Sequence, residues 1–179
     1  MARLTVMKVP TFVKELCRRG GVRLSTFKSA EEFEQEVSKF LNAHDILYLS
    51  TSNNDTPRCT PVGYFHIGMT VYVLSEGGGK FANLKANPKV SYAIASRIDG
   101  RMGILEVRGL QCWGQASVIS MREEPEKFSR LMDELGLTER LKKRGEELPP
   151  FNYRFIKIVP HKMRMLNLRE GIYNVTWTK

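Results

Sequence analysis

The spacing of apolar residues changes several times along the chain, and each change marks an element. Phe12, Val13 and Leu16 form a short apolar stripe between Pro10, placed to start a helix, and the Gly20-Gly21 pair, placed to stop it. A second helical pattern follows, with Phe33, Val37, Phe40 and Leu41 at i, i+4, i+7 and i+8. Ser29 can cap this helix, and Glu32, three residues on, can reciprocate. From Ile46 the period becomes that of strands. Ile46 to Thr51 reads as a strand, Ser52-Asn53-Asn54-Asp55 as a turn, and Pro57 to Ile67 as the return strand. Gly68-Met69 turns the chain into a strand from Thr70 to Ser75. Glu76-Gly77-Gly78-Gly79 ends the strand, and a short helix runs from Lys80 to Ala86. Asn87-Pro88 stops it, because the residue before proline is pushed out of the helical region. Strands follow at Lys89 to Ala95 and, much longer, at Ile104 to Ile119. Residues 123–145 return to helical spacing with Phe128, Leu131, Leu135 and Leu141, closed by Pro149-Pro150. Phe155 to Val159 and Met163 to Leu168 are two late strands, and Ile172 to Thr178 is suited to an edge.

Short strands at regular spacing, joined mostly by hairpins, predict a mainly β protein, an antiparallel barrel with peripheral α-helices. No long helix separates consecutive strands in the middle of the chain, which argues against a doubly wound parallel sheet. The expected organisation is one domain over residues 1–179, with residues 1–28 as an N-terminal extension and 123–148 as a helical insertion. The 179 residues, 42% hydrophobic and 26% charged, have the composition of an ordinary globular chain and exclude disordered, collagen-like and coiled-coil readings. No apolar run approaches the roughly 20 residues of a membrane helix. Arg3 and Lys8 break the N-terminus too early for a signal peptide, so the expected location is cytoplasmic.

Cys17, Cys59 and Cys112 are far apart and odd in number, which makes neither a disulfide framework nor a zinc site, and no metal is expected. Cys59 and Cys112, both in strand runs, read as small buried hydrophobes. His44, His66 and His161 stand alone; His161 is the one that would suit a haem.

The window from Ser75 to Pro88 carries the chemistry. A strand end, three glycines and Lys80 at the start of a helix are suited to a bound phosphate, through backbone N–H groups, a full cation and the Ser75 hydroxyl. A solvated glycine-rich loop is the plainer reading of the same window. A Walker A loop is excluded, since Phe81 stands where a Ser or Thr must follow the lysine and Leu74 where its first glycine must be.

Pro57-Arg58-Cys59-Thr60-Pro61-Val62, the strand ending in Ser75, Gly-Gly-Gly-Lys80, Asn83-Leu84, Asn87-Pro88 and Val90-Ser91-Tyr92-Ala93 occur in that order. Over about residues 30–168 this order resembles the FMN-binding split-barrel superfamily, the relatives of pyridoxamine 5′-phosphate oxidase that include flavin reductases and nitroimidazole-resistance proteins. The resemblance implies a Greek-key split barrel of about six strands and a homodimer with FMN at the subunit interface. It makes Lys80 the phosphate ligand and Arg58 a contact to the phosphate or the ribityl chain, with Asn83 part of the same motif. Cys59, Thr60, Pro61 and Val62 would run along the isoalloxazine ring, and Leu74 and Ser75 would meet the phosphate or ribityl hydroxyls. Gln111 and Trp113 share a strand face from which one could reach the flavin or the partner subunit; plain core is the alternative for Trp113. The Trp- and Arg-rich C-terminal signature of the oxidase is absent from Phe155 to Leu168, so the resemblance does not extend to oxidation of pyridoxamine phosphate.

The implied function is an FMN-dependent oxidoreductase passing hydride or electrons between NAD(P)H and a small-molecule acceptor; the alternative is a flavin- or haem-binding protein without turnover. No acid or base is singled out, and Tyr64, His66 and Tyr92 are the residues that could face the ring. The net charge of +9 suggests a polyanion, but Arg18-Arg19, Lys142-Lys143-Arg144, Lys162 and Arg164 are dispersed and accompany no nucleic-acid-binding motif.

Overall fold

A computed structural model of the chain describes residues 2–96 and 103–179. In chain order its elements are β1 (Arg3–Val6), α1 (Thr11–Arg19), α2 (Ala30–Asn42), β2 (Ile46–Asn53), β3 (Thr56–Gly63), β4 (Phe65–Ile67), β5 (Thr70–Ser75), α3 (Lys80–Ala86), β6 (Lys89–Ala95), β7 (Arg108–Ser120), α4 (Pro125–Glu134), α5 (Leu137–Arg144), β8 (Arg154–Asn167) and β9 (Ile172–Thr178). All strand pairings are antiparallel.

Six strands in the order β3-β2-β6-β7-β8-β5 form a split barrel, with β9 and β1 continuing the sheet beyond β8. The split is built by one stretch of chain. Residues 56–63 pair with β2 and, past Tyr64, residues 65–67 pair with β5. The chain thus crosses from one side of the barrel to the other and closes it at that end. At the opposite end β3 and the last residues of β5 have no ladder between them, leaving a wedge with free backbone edges.

Leu47, Leu49, Val71, Val73, Leu110, Ile156 and Ile158 fill the barrel, and α2 buries Phe33, Val37, Phe40 and Leu41 against the same core. Trp177 Nε1 donates to Glu34 Oε1 over 2.9 Å, fixing α2 to β9. A second cluster on the outside holds α4 and α5 through Phe128, Leu131, Met132 and Leu137 against Tyr72, Ile119 and Phe155. Among the described residues no helix is long and apolar enough to cross a membrane.

Several sequence expectations are corrected. Phe12 is exposed, and the buried stripe of α1 is Val13 and Cys17. Ser29 Oγ accepts from Glu32 N, but Glu32 returns its bond one residue earlier, to Lys28 N at 2.8 Å. The return strand predicted from Pro57 to Ile67 breaks at Tyr64, where its partner changes from β2 to β5. The long strand predicted from Ile104 starts only at Arg108, after a 3-10 turn at Gly103–Glu106. Residues 123–145 form two helices, because Gly136 takes a left-handed conformation, φ 68°, between them. The two late strands are one, β8, which passes through Pro160 by a bulge that leaves His161 unpaired with β7. Finally, β9 is covered by β1, an unpredicted strand inside the N-terminal extension, so β1 and not β9 is the edge.

Candidate functional site

The glycine loop leaves β5 at the open wedge. Gly78 has φ 104°, a conformation that residues with a Cβ rarely adopt, and this turns the chain back so that Lys80 points into the loop. Lys80 is only 7% exposed, and its Nζ donates to Gly77 O over 2.6 Å. The hydroxyl of buried Ser75 donates to the same carbonyl over 3.3 Å. Arg58 comes from β3 across the wedge. Its guanidinium lies against the loop, so that a methyl group added at Gly79 would stand 3.4 Å from Nη1.

Desolvation holds the Lys80 ammonium below the usual lysine range; Glu76 offsets part of this and Arg58 adds to it. Among the described residues no carboxylate lies within ion-pair distance of Arg58 or Lys80. A buried ammonium satisfied by one carbonyl, beside a guanidinium and a hydroxyl, is an anion site by its chemistry. At seven residues α3 is short, and the side chains supply most of the positive potential.

Helix α3 is seated on β2 by two amides. Asn83 Nδ2 donates to Thr51 Oγ1 over 3.0 Å, and Asn87 Nδ2 donates to Ser52 Oγ over 3.1 Å. Thr51 is the cross-strand partner of Arg58, so these bonds set the position of Lys80 relative to Arg58.

The other sequence-predicted residues divide between faces. Arg58, Thr60 and Val62 alternate with Cys59 and Pro61, which lie exposed on the outer face of the sheet. Cys59 is therefore not the small buried hydrophobe expected; Cys112 is buried, and burial pushes its thiol up to about 12. Gln111 and Trp113 also lie on the outer face, in cross-strand rows with Pro61-Tyr48-Ala93 and Cys59-Ser50-Ser91. Within one chain they do not join the Arg58–Lys80 cluster. Trp113 is not core either: it is half-buried, with Lys162 Nζ 4.9 Å from its ring centre. The side chain of Leu74 points away from Ser75 and packs against the α4–α5 cluster.

Of the residues expected to face a flavin ring, Tyr64 and Tyr92 are in the core, and the Tyr64 hydroxyl donates to Leu41 O over 2.8 Å. His66 is half-buried and engages Asn42 Oδ1 and Gly68 O. It borders a groove of about 680 Å³ that runs past Gly63, Tyr64, Phe65 and Leu74 beneath Leu135 and Arg140. His161 is exposed, seven residues along β8 from Arg154 and so about 23 Å from the wedge.

Sequence reasoning missed Thr51, Phe81 and Arg154. Arg154 is the cross-strand partner of Ser75, and its guanidinium carbon lies 4.6 Å from the centre of the Phe81 ring, which Lys80 Nζ also approaches at 5.2 Å. No local motif announces this; only the β5–β8 register brings it about.

Comparison with known proteins gives the same fold. A pyridoxamine 5′-phosphate oxidase candidate from Listeria innocua is 25% identical, with a TM-score of 0.57 over 75% of this chain and 98% of that one. An FAD-binding protein from Mesorhizobium loti is 21% identical, with a TM-score of 0.52 over 83% and 93%. A heme-binding protein from Mycobacterium smegmatis is 15% identical, with a TM-score of 0.58 over 87% of this chain and 60% of that one. The fold thus serves flavin- and haem-binding proteins alike. No curated protein matches the sequence. The profile of the pyridoxamine 5′-phosphate oxidase family matches residues 33–167, from the first buried residue of α2 to the end of β8, and the chain belongs to that family.

Proposed function

We propose that the protein binds a flavin nucleotide, FMN being the smallest that satisfies the site, and uses it to pass hydride or electrons between NAD(P)H and a small-molecule acceptor. One observation carries the reading: Lys80, a buried ammonium with no carboxylate within ion-pair distance among the described residues, meets Arg58 at a glycine loop in the open wedge of the barrel. Arg58 offers a planar fork and Lys80 a point charge to one phosphate dianion. On binding, the phosphate replaces Gly77 O as partner of the ammonium, and the Ser75 hydroxyl is placed to follow. From there the free edge of β3 at Thr60 to Val62 offers backbone groups along a ring laid in the wedge. A bound flavin supplies the hydride and electron chemistry, and the protein supplies binding and orientation.

The outer sheet face supports a homodimer. Ile46 and Tyr48 are 54% and 49% exposed there, beside Pro61 and Trp113, an apolar surface that a second copy would cover. Such a dimer would bring Gln111 and Trp113, which in their own chain lie on the other face of the sheet from Arg58, to a place beside the flavin of the other chain.

The test is the absorption spectrum and mass of the chromophore that co-purifies, followed by anaerobic addition of NADH and NADPH. Flavin bands that bleach with either nucleotide support the reading. A Soret band in place of flavin bands contradicts it, and a flavin that neither nucleotide reduces removes the hydride step.

A further inference from the structure

The positive charge of the chain is not spread evenly. Residues 1–28 hold seven basic side chains against one carboxylate, Glu15, and so carry six of the nine net positive charges. This extension precedes the stretch that matches the family profile. All seven basic side chains are exposed. Glu15 is shared by Arg18 and Arg19, at 2.7 and 2.9 Å, and among the described residues no carboxylate lies within ion-pair distance of Arg3, Lys8 or Lys14. The segments packed against the extension bring Glu106 and Glu170, but also Arg164 and Arg169, and the charge changes sign only at α2, which opens with Glu31 and Glu32.

The same extension shows apolar side chains that the fold does not use. Helix α1 buries Val13 and Cys17 against Leu168, with Val9 packed beside them, and leaves Phe12 outside. Phe12 is 61% exposed, the most of any large apolar side chain among the described residues; Met7 and Val6, 47% and 56% exposed, precede it by five and six residues. Chain length alone keeps the three within about 20 Å of one another. On α1, Arg19 lies two turns from Phe12 on the same face, with Lys14 and Arg18 on the far flank. Arg164 Nη2 lies 3.3 Å from Met7 Sδ, a further cation beside an apolar group. Single exposed apolar side chains are ordinary, but three set among cations ask for a partner that is both anionic and apolar. An anionic bilayer is such a partner: its headgroups attract the cations, each by roughly fivefold in affinity, and its hydrocarbon boundary takes up the apolar side chains. Duplex nucleic acid supplies phosphates without an apolar phase for Val6, Met7 and Phe12.

We propose that β1 and α1 form a docking surface for an anionic membrane, with Val6, Met7 and Phe12 entering the headgroup boundary and Lys8 and Arg19 on the acidic headgroups. The proposal is independent of the flavin reading. Co-sedimentation of the full chain with vesicles of phosphatidylcholine alone, and of two parts phosphatidylcholine to one part phosphatidylserine, tests it. The wild type should bind the mixed vesicles and leave the neutral ones. Lys8→Gln/Arg19→Gln should weaken this binding by about tenfold or more, and salt should weaken the wild type more steeply than this variant. Phe12→Ser should weaken it several-fold without changing the salt dependence, since that loss is apolar. All three positions are exposed, and circular dichroism should show an unaltered fold. Absence of binding, equal binding to both vesicles, or an affinity unmoved by Phe12→Ser overturns the inference. Displacement of the mixed vesicles by duplex DNA at equal phosphate concentration overturns it in favour of nucleic acid. A change of oligomeric state in Phe12→Ser overturns it in favour of a second copy.

Discussion

Asn83 Nδ2 donates to Thr51 Oγ1 over 3.0 Å, and Thr51 stands directly across the β2–β3 ladder from Arg58. The bond ties the helix that carries Lys80 to the strand pair that carries Arg58. Removing it with Asn83→Ala should cost about 1 kcal/mol of stability, the usual net worth of one such hydrogen bond. FMN affinity should fall several-fold as well, because the two cations no longer share one geometry. Urea melts and a flavin titration on the same variant check both. An unchanged affinity would mean that the Asn87–Ser52 bond and the apolar contacts position α3 without Asn83.

Lys80 should trade stability for binding. Its ammonium is carried at a cost in the free protein, mainly through desolvation. Lys80→Met keeps the stem and removes the charge, so the melting temperature of the apoprotein should rise while the increase produced by FMN disappears. The pH sign follows from the depressed value. On raising the pH toward the ordinary 10.5, the folded form sheds this proton before the unfolded form does. The unfolded state then binds more protons, and the wild type gains stability through that window. The advantage of Lys80→Met over wild type should therefore be largest at neutral pH and shrink in alkali. Paired urea melts at neutral and alkaline pH measure it.

Cys59 is the thiol to watch. Cys17 and Cys112 are buried, and Cys112 is pushed up to about 12, so neither should react with a thiol reagent near neutral pH. A monomer should titrate one fast thiol per chain. In the proposed dimer the outer face is covered, and Cys59 should react slowly.

Tyr48→Glu makes the same face unsuitable for a second copy. Light scattering should show a monomer with an unchanged circular dichroism spectrum, and Cys59 should become fast. A dimer that survives this substitution would place the subunit contact elsewhere.

Features set by neighbours along the chain were legible in the sequence. The Ser29 cap, the bounds of α3 and the antiparallel strands with peripheral helices are such cases, because caps, glycines and period act within a few residues; the six-strand split barrel was implied only by the family resemblance. The wedge was not. Nothing in the period of residues 57–67 tells that pairing passes from β2 to β5 at Tyr64. The alternation placing Cys59 and Pro61 opposite Arg58, Thr60 and Val62 is readable from spacing, but which face is covered depends on sheet order. Arg154 is the clearest case: it reaches Phe81 because β8 lies beside β5, and a residue met at the start of an ordinary strand carries no sign of that.

The central claim is that Lys80 and Arg58 hold a phosphate, and comparing FMN with riboflavin, which lacks only that phosphate, tests it most directly. In equilibrium titrations the wild-type apoprotein should bind FMN roughly 100-fold more tightly than riboflavin, as two charge-assisted contacts to a dianion require. Lys80→Ala should remove much of that difference while leaving riboflavin binding as it was. Equal affinity for FMN and riboflavin in the wild type would contradict the account.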